Sequence, residues 1–192
     1  MEIDPRLIAA CKRSDRKAQA ELYRHCYQVL MGVCMRYAGQ KDEAVAALNL
    51  GFLKILDKLD TWQKGVPFEA WIRRIMINTL IDEFRRNRRY REQMSVVDFQ
   101  EHTHMTTAID YNEAEQRLDA AAIEAMIQTL PPMSRQVFNL FAIDGYSHRE
   151  IATLCGISEG TSKWHVSFAR KSMQDLIAAS LRTHHRTEVS EL

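Results

Sequence analysis

Arginine side chains are concentrated in one stretch of the 192-residue chain. Between Arg73 and Arg91 the sequence has seven arginines and two acidic residues, a net charge of +5. The stretch from Gln93 to Met133 is acidic, with a net charge of −6. A dense arginine run is often only a solvated helix face, but this one lies beside aromatic residues on a long predicted helix. The pattern favours contact with nucleic-acid phosphates, which the acidic stretch should avoid.

A second stretch, from Gly145 to Lys163, predicts two helices joined by a tight turn. Ser147 and Glu150 have the spacing of a capping box at the start of the first helix. Gly156 suits the turn because glycine adopts positive φ without a Cβ penalty, and Ser158 can cap the next helix. An ordinary corner between two helices is the alternative. Because both caps and the turn glycine fall at the positions that this motif needs, the pattern favours a helix-turn-helix whose second helix enters a DNA major groove.

The sequence contains no catalytic or metal-binding pattern. Its four cysteines are scattered, without a Cys-x-x-Cys pair or a histidine at zinc-ligand spacing, which predicts structural thiols. There is no Gly-rich phosphate loop and no nucleophile with a paired base. We therefore expect no metal, no cofactor, no small-molecule substrate and no enzyme activity. Without a recognisable signal peptide or membrane-spanning run, the sequence predicts a soluble, cytoplasmic protein with no direct membrane insertion.

The apolar periodicity predicts an all-α fold with two small helical domains. The first domain covers residues 1–93, with helices at about 4–13, 16–37 and 41–59 and a fourth from Pro67 through the arginine run. Residues 94–112 lose the periodicity and are predicted to form a flexible acidic linker. The second domain covers residues 113–182, with a helix to about Leu130, a helix capped by Ser134 that ends at Asp144-Gly145, the helix-turn-helix and a final helix to about Leu181. Residues 183–192 are predicted to form a polar tail.

The third predicted helix has apolar residues on two sides. Its core side carries Ala44, Leu48, Phe52, Ile55 and Leu59. The opposite side carries Ala46, Leu50 and Leu53, more apolar residues than a solvated helix face needs. This side is either a surface that docks a partner or a second buried face, and the sequence leaves both interpretations open.

Three segments carry a resemblance to a known family. They are Phe52-Leu-Lys-Ile-Leu, the segment from Phe68-Glu-Ala-Trp to Asp82-Glu-Phe-Arg-Arg, and the segment from Tyr146-Ser-His-Arg-Glu-Ile-Ala to Ser158-Glu-Gly-Thr-Ser-Lys. Their order, with an acidic linker between two helical units, resembles the extracytoplasmic-function (ECF) sigma factors. The resemblance implies a subunit that binds bacterial core RNA polymerase and directs it to promoter DNA, and it implies an anti-sigma factor as a further partner.

The resemblance assigns the first domain to the family's region 2, which docks on polymerase and melts the −10 element. The loop from Asp60 to Val66 matches the family's pocket for a base flipped out of the non-template strand, where Trp62 either contacts the base or packs inward. Asn78 can read a base edge, whereas the arginines should mainly hold phosphates. The residues assigned to −10 DNA are Trp62, Lys64, Arg73, Arg74, Asn78, Asp82, Arg85, Arg86, Arg88 and Arg89.

The second domain corresponds to the family's region 4, whose helix-turn-helix reads the −35 element. The residues assigned to −35 DNA are Arg149, Ser158, Glu159, Thr161, Lys163, Trp164, His165, Ser167, Arg170 and Lys171. Glu159 either accepts a hydrogen bond from a cytosine amine or stabilises the helix through its charge near the positive end of the helix dipole. Trp164, His165 and Phe168 replace the family's small-polar and basic residues. We expect Trp164 and Phe168 to lie on the outward face, where they meet thymine methyl groups or pack against a partner.

The helix that docks on polymerase also departs from the family pattern. The family carries roughly Glu-Asp-Leu-Val-Gln-Glu-Val-Phe where this chain has Val45-Ala-Ala-Leu-Asn-Leu-Gly-Phe. The residues assigned to polymerase docking are Ala46, Asn49, Leu50 and Leu53. The loss of acidic residues predicts a weaker or more hydrophobic contact with core polymerase. It also suggests an alternative function, a helix-turn-helix regulator that binds DNA without recruiting core polymerase.

Overall fold

The structure is a computed structural model that describes residues 3–63, 65–94 and 120–188. Every regular element in these ranges is helical, and the chain divides into two compact units, Met1–Asp98 and Phe99–Leu192. The first unit contains α1 (Pro5–Lys12), α2 (Arg16–Tyr37), α3 (Lys41–Asp57), a 3₁₀ turn (Leu59–Thr61) and α4 (Phe68–Met94). The second contains α5 (Ala120–Gln128), α6 (Pro132–Phe138), a π-helical turn (Asn139–Ile143), α7 (His148–Cys155) and α8 (Glu159–Glu188). The predicted all-α fold with two small helical domains is confirmed.

Local hydrogen bonds explain where the first helices begin. The carboxylate of Asp4 accepts from the backbone N–H of Arg6 at 2.8 Å, and that of Asp15 accepts from Lys17 and Ala18 at 2.9 and 3.0 Å. Both are N-caps that satisfy backbone donors in the first turn of a helix. Ser14 takes a φ of 61° in the short turn between α1 and α2.

The core of the first unit forms where α2, α3 and α4 pack on one another. Leu22 and Leu30 of α2, Leu48 of α3 and Ile72 of α4 are completely buried. Gly51 leaves room for the Met76 side chain of α4 against α3, since a Cβ at position 51 would lie 2.2 Å from the terminal methyl of Met76. This compact bundle fixes which side of α4 remains available to a ligand.

The second unit departs from the prediction between α6 and α7. Ser134 was expected to cap a helix, but α6 already begins at Pro132, which suits the first turn because its missing N–H is not needed there. The Ser134 hydroxyl instead lies 2.9 Å from Nδ1 of His165 in α8. The helix then widens into the π turn, where the backbone N–H of Asp144 donates to the backbone carbonyl of Asn139 at 3.0 Å.

The predicted helix-turn-helix is confirmed in its details. The backbone N–H of Ser147 donates to Glu150 at 2.9 Å, and the Ser147 hydroxyl accepts from the Glu150 N–H at 3.3 Å, which completes the capping box. Gly156 ends α7 with a left-handed φ of 67°. Ser158 caps α8 by accepting from the Thr161 N–H at 3.0 Å.

The ends of the chain's domains differ in part from the expected positions. The final helix α8 continues to Glu188, so the described part of the predicted tail, residues 183–188, is helical. The predicted linker lies outside the described residues except for Met94, which ends α4. No helix in the described ranges is both long and apolar enough to cross a membrane.

Candidate nucleic-acid interface

Five of the residues assigned to −10 DNA lie on one stripe of α4. Arg74, Asn78, Asp82, Arg85 and Arg89 recur three or four residues apart, which places them on the same side of a helix. Their side chains are exposed or half-buried, because the buried residues of α4 face α2 and α3. We call this surface the arginine stripe. Three further predicted arginines are exposed but lie off the stripe, namely Arg73, Arg86 and Arg88.

Ion pairs partly neutralise this end of α4. Asp82 lies 3.4 Å from Nζ of Lys54 on α3, and Arg86 pairs with Glu83 one turn earlier. Both pairs are at the surface, where such contacts contribute little stability. Arg74, Arg85 and Arg89 therefore keep the stripe positive.

Trp62 closes the loop in front of α4. Its indole Nε1–H donates to the Val66 carbonyl at 2.9 Å, and its ring meets the Phe68 ring edge-on at 5.3 Å. The side chain is half-buried, so the inward packing that the sequence left open is what the structure contains. Lys64, the other predicted loop residue, lies outside the described residues.

The residues assigned to −35 DNA are distributed over several sides of α7 and α8. Those exposed on α7 and the first turn of α8 are Arg149, Ser158, Glu159 and Thr161. Ser158 and Thr161 also serve the helix itself, since their hydroxyls lie 2.8 Å apart in the cap. His165 is half-buried against Ser134, which leaves less of its ring available to a groove.

A larger exposed surface covers the next two turns of α8. It comprises Lys163, Trp164, Ser167, Phe168 and Lys171, and we call it the outward face of α8. The rings of Trp164 and Phe168 stack 5.4 Å apart, with planes 18° from parallel. The segment from Gly160 to Gln174 contains three cations and no acidic residue. Cations and apolar rings are thus presented together.

Beside this face lies a concave pocket of about 440 Å³. The residues that line it include Phe141, His148, Lys163, Ser167, Arg170 and Lys171. The His148 ring stacks on Phe141 at 4.4 Å, and the Arg170 guanidinium lies over the same Phe141 ring at 5.7 Å. Three cations around a cavity of this size provide a site for an anionic group such as a phosphate.

Sequence reasoning missed Phe141 and His148. His148 lies 2.9 Å from the Ser162 hydroxyl through Nδ1, so it connects the start of α7 to α8. The one sequence signal for His148 is its place directly after the predicted N-cap Ser147. Phe141 gave no such signal, because its position depends on the π turn.

The outer side of α3 is exposed, which rules out the interpretation that it is a second buried face. Leu53 is 60 % exposed, Ala46 and Asn49 are exposed, and Leu50 is half-buried. Asn49 accepts a hydrogen bond from the Tyr23 hydroxyl of α2 at 2.8 Å.

Two tyrosines of α2 extend this side of α3. Tyr23 packs edge-on against Phe52 at 5.1 Å, and Tyr27 is 37 % exposed with its ring 6.3 Å from that of Tyr23. The apolar surface therefore spans two helices, and sequence reasoning missed the half contributed by α2.

The cysteines are buried and free, as the sequence predicted. Burial raises the pKa of the Cys34 thiol to about 12. Burial also raises the pKa of the Cys26 thiol to about 12, with a further contribution from Cys11 nearby. Within the described ranges, no cluster of three or more histidine, cysteine or acidic side chains is arranged to hold a metal ion.

Two family profiles match the chain, one in each unit. The profile described as Sigma-70 region 2 matches residues 22–90, and the profile described as Sigma-70, region 4 matches residues 120–173. The arginine stripe and the outer side of α3 fall within the first match. The helix-turn-helix and the outward face of α8 fall within the second.

Proteins with similar sequences are named as RNA polymerase sigma factors. The chain is 27 % identical over 161 residues to the ECF RNA polymerase sigma factor SigE of Mycolicibacterium smegmatis, an alignment that covers 82 % of this chain but only 61 % of the relative. It is 26 % identical to the RNA polymerase sigma-H factor of Pseudomonas aeruginosa, across 94 % of this chain and 97 % of the relative.

A solved structure shares the fold. It is the sigma factor RpoE of Bartonella quintana, determined in complex with the anti-sigma factor NepR. The similarity has a TM-score of 0.51 at 22 % sequence identity and covers 83 % of this chain and 96 % of the other.

Proposed function

Because this chain belongs to the ECF sigma factors of the sigma-70 family, we propose that it binds bacterial core RNA polymerase and directs it to specific promoters. The observation that carries the proposal is that each matched region presents its own basic surface in a separate helical unit. A promoter has two recognition elements, so a reader in two parts suits it.

In this proposal the arginine stripe contacts the −10 region. Arg74, Arg85 and Arg89 hold backbone phosphates, and Asn78 near the middle of the stripe reads a base edge through its amide. Extruding a base from a duplex costs a few kcal/mol, so melting needs a site that captures the base. In this proposal the loop from Asp60 to Val66 provides that site, and Trp62 gives the loop its shape.

The helix-turn-helix reads the −35 element in the major groove. The pocket beside α8 takes a backbone phosphate between Lys163, Arg170 and Lys171, which fixes the register of α8 in the groove. Arg149 contacts the flanking backbone. Glu159 favours the N-terminal end of the helix dipole and is also placed to accept from a cytosine amine.

The outer side of α3 docks on core polymerase. Leu53 and Tyr27 supply exposed apolar area, and Asn49 is held in place by Tyr23. Burial of such area contributes roughly 25 cal/mol per Å². We expect this contact to depend on apolar burial more than on charge.

The proposal extends to partners, chemistry and location. An anti-sigma factor is the expected regulatory partner, as for the Bartonella quintana neighbour, which was determined with one. The chain performs no bond chemistry itself, since phosphodiester formation belongs to the polymerase. It acts in the cytoplasm, where polymerase and promoter DNA are found.

The test is reconstituted transcription. Purified protein is added to core polymerase with a fragment library of bacterial promoters, and initiation is mapped from the 5′ ends of the transcripts. Initiation at a defined set of promoters that requires the protein supports the proposal. The rival function, a DNA-binding regulator, would give duplex binding without core association and without initiation. The region 2 match over residues 22–90 favours the sigma factor.

A further inference from the structure

The stacked pair of Trp164 and Phe168 has no obvious structural role. The Trp164 side chain is 58 % exposed and that of Phe168 is 37 % exposed. Leaving two large apolar rings in water is unfavourable, and neighbouring exposed apolar groups commonly mark a binding surface. The core of the second unit forms on the other side of α8, through Val166, Ala169 and Met173.

The pair is also held in place before any ligand arrives. His165 lies against Ser134 at 2.9 Å, and the Trp164 ring meets the His165 ring edge-on at 4.9 Å. Phe168 stacks on the indole ring of Trp164. An apolar surface that is already ordered loses less entropy when it binds, so it recognises a ligand better than mobile side chains do.

Charge decides what kind of ligand this surface fits. Lys163 lies directly before the pair, and Arg170 and Lys171 lie just after it, with no acidic residue between Gly160 and Gln174. Phosphates on both sides of an apolar contact satisfy this arrangement. Duplex DNA offers that combination in its major groove, where the thymine methyl is the apolar group on a base edge.

The position on the helix agrees with this ligand. Trp164 and Phe168 lie in the second and third turns of the second helix of the motif, directly after the N-terminal turn whose residues approach base edges. We propose that Trp164 and Phe168 form a contact for thymine methyl groups and thereby set the sequence preference at the −35 element. The inference rests on the proposed function in that it assigns α8 to the major groove.

The test removes only the methyl group. A duplex pool with a randomised −35 segment is selected twice, once with the full-length protein and once with its complex with core polymerase. Each thymine of the selected sequence is then replaced singly by deoxyuridine, which lacks the methyl but keeps every hydrogen-bonding group. At one or more positions we expect affinity to fall about fourfold for each contacted methyl.

The protein side of the test uses Trp164→Ser combined with Phe168→Ser. This variant should bind the thymine duplex more weakly and should no longer distinguish thymine from deoxyuridine. The matched control is Ile123→Ser, which removes a similarly exposed apolar side chain from α5 and should keep the full discrimination. All these side chains are exposed, so thermal unfolding should change little in any variant.

Three results would overturn the inference. The first is a selected sequence without thymine, or no selected sequence in either experiment. The second is wild-type binding that no deoxyuridine substitution weakens. The third is equal discrimination by wild type and the double variant, or equal promoter binding by the two, as expected if the rings serve a protein partner. Specific initiation without methyl dependence would contradict this inference but not the proposed function. Methyl-dependent binding without initiation would contradict the proposed function but not this inference.

Discussion

The hydrogen bond between Trp62 and Val66 links one side chain to the shape of a whole loop. Trp62→Phe keeps a ring against Phe68 but removes the indole donor, so the free energy of unfolding should fall by about 1 kcal/mol. Trp62→Ala also removes the ring contact, and the loss should reach about 2 kcal/mol for this half-buried position. Urea denaturation measures both.

The two variants also test whether Trp62 contacts the extruded base. If its role is to shape the loop through the hydrogen bond to Val66, Trp62→Phe should lose promoter opening as Trp62→Ala does, measured by permanganate reactivity of unpaired thymines. Normal opening in Trp62→Phe together with a loss in Trp62→Ala would instead favour direct stacking on the base, since phenylalanine keeps a ring that can stack.

The buried thiols predict a pH dependence of stability. The folded pKa of Cys26 and of Cys34 is about 12, well above the ordinary value for an unfolded thiol. A raised folded pKa means that the native state holds these protons more tightly. This contribution is complete below about pH 8.5 and is lost as the pH rises towards 12.

Alkylation is the direct measurement for the thiols. At pH 8 the native protein should react slowly with iodoacetamide at all four cysteines, which are buried, and quickly once unfolded in urea. Native labelling of Cys26 or Cys34 at the rate of a free thiol would contradict this. The urea-unfolded sample is the internal control, since it has the same residues.

At the scale of elements, the turn between α7 and α8 depends on one backbone conformation. Gly156 has a φ of 67°, which costs a residue with a Cβ about 1–2 kcal/mol. Gly156→Ala should therefore lower stability by about 1 kcal/mol and weaken −35 binding, because the angle between the two helices shifts. Thermal unfolding and binding to a −35 duplex measure the two effects.

Gly160 offers a matched control four residues later. A Cβ at Gly160 would have its nearest contact at 3.6 Å, with Ser158 Oγ, and the residue lies within α8. Gly160→Ala should stabilise the protein by up to about 1 kcal/mol through its helix propensity. If Gly156→Ala and Gly160→Ala shift stability in the same direction, the positive φ of Gly156 is not what disfavours a side chain at that position.

A substitution on the outer side of α3 should weaken docking on core polymerase without affecting folding. Leu53→Arg should leave stability within about 0.5 kcal/mol, since Leu53 is 60 % exposed. It should weaken binding to core polymerase at least tenfold, the order expected when a central apolar contact is lost. Gln28→Arg introduces the same charge at an exposed position of α2 that is adjacent to Tyr27 in sequence but about 100° around the helix from it, and it should bind core polymerase normally. If Leu53→Arg and the wild type bound core polymerase with equal affinity, polymerase would dock on another surface.

The elements show which features a sequence can predict. The capping box of Ser147 and Glu150 and the turn at Gly156 follow from bonds between residues a few positions apart, so their spacing was sufficient. Ser134 was assigned wrongly as a cap because its hydroxyl is used in a contact with His165, which is distant in sequence. The contribution of Tyr27 to the docking side could not be predicted either, since it depends on how α2 packs beside α3.

At the scale of the whole molecule, promoter binding should depend on salt through both units. Each phosphate contact releases counterions and contributes about 0.9 to the slope of log affinity against log salt. Arg89→Gln and Lys171→Gln should each lower the slope by about 1, and the double variant by about 2, on a promoter with both elements. Filter binding across a salt series gives these slopes.

The template provides the control for this prediction. On a duplex that contains only the −35 element, Lys171→Gln should still lower the slope, whereas Arg89→Gln should have no effect. A change caused by Arg89→Gln on that short duplex would mean that the arginine stripe does not depend on the −10 region. The Trp164→Ser and Phe168→Ser variant should leave the slope unchanged on either template, since its rings carry no charge.

The distribution of the three tryptophans has a practical consequence. Trp62 and Trp71 are half-buried in the first unit, whereas Trp164 is the exposed tryptophan of the second. Indole emission depends on solvent contact, so emission from Trp164 would change whenever a ligand covers α8. With the other two residues replaced by phenylalanine, the fluorescence of this one ring would follow the occupancy of the second unit in real time, without an attached dye.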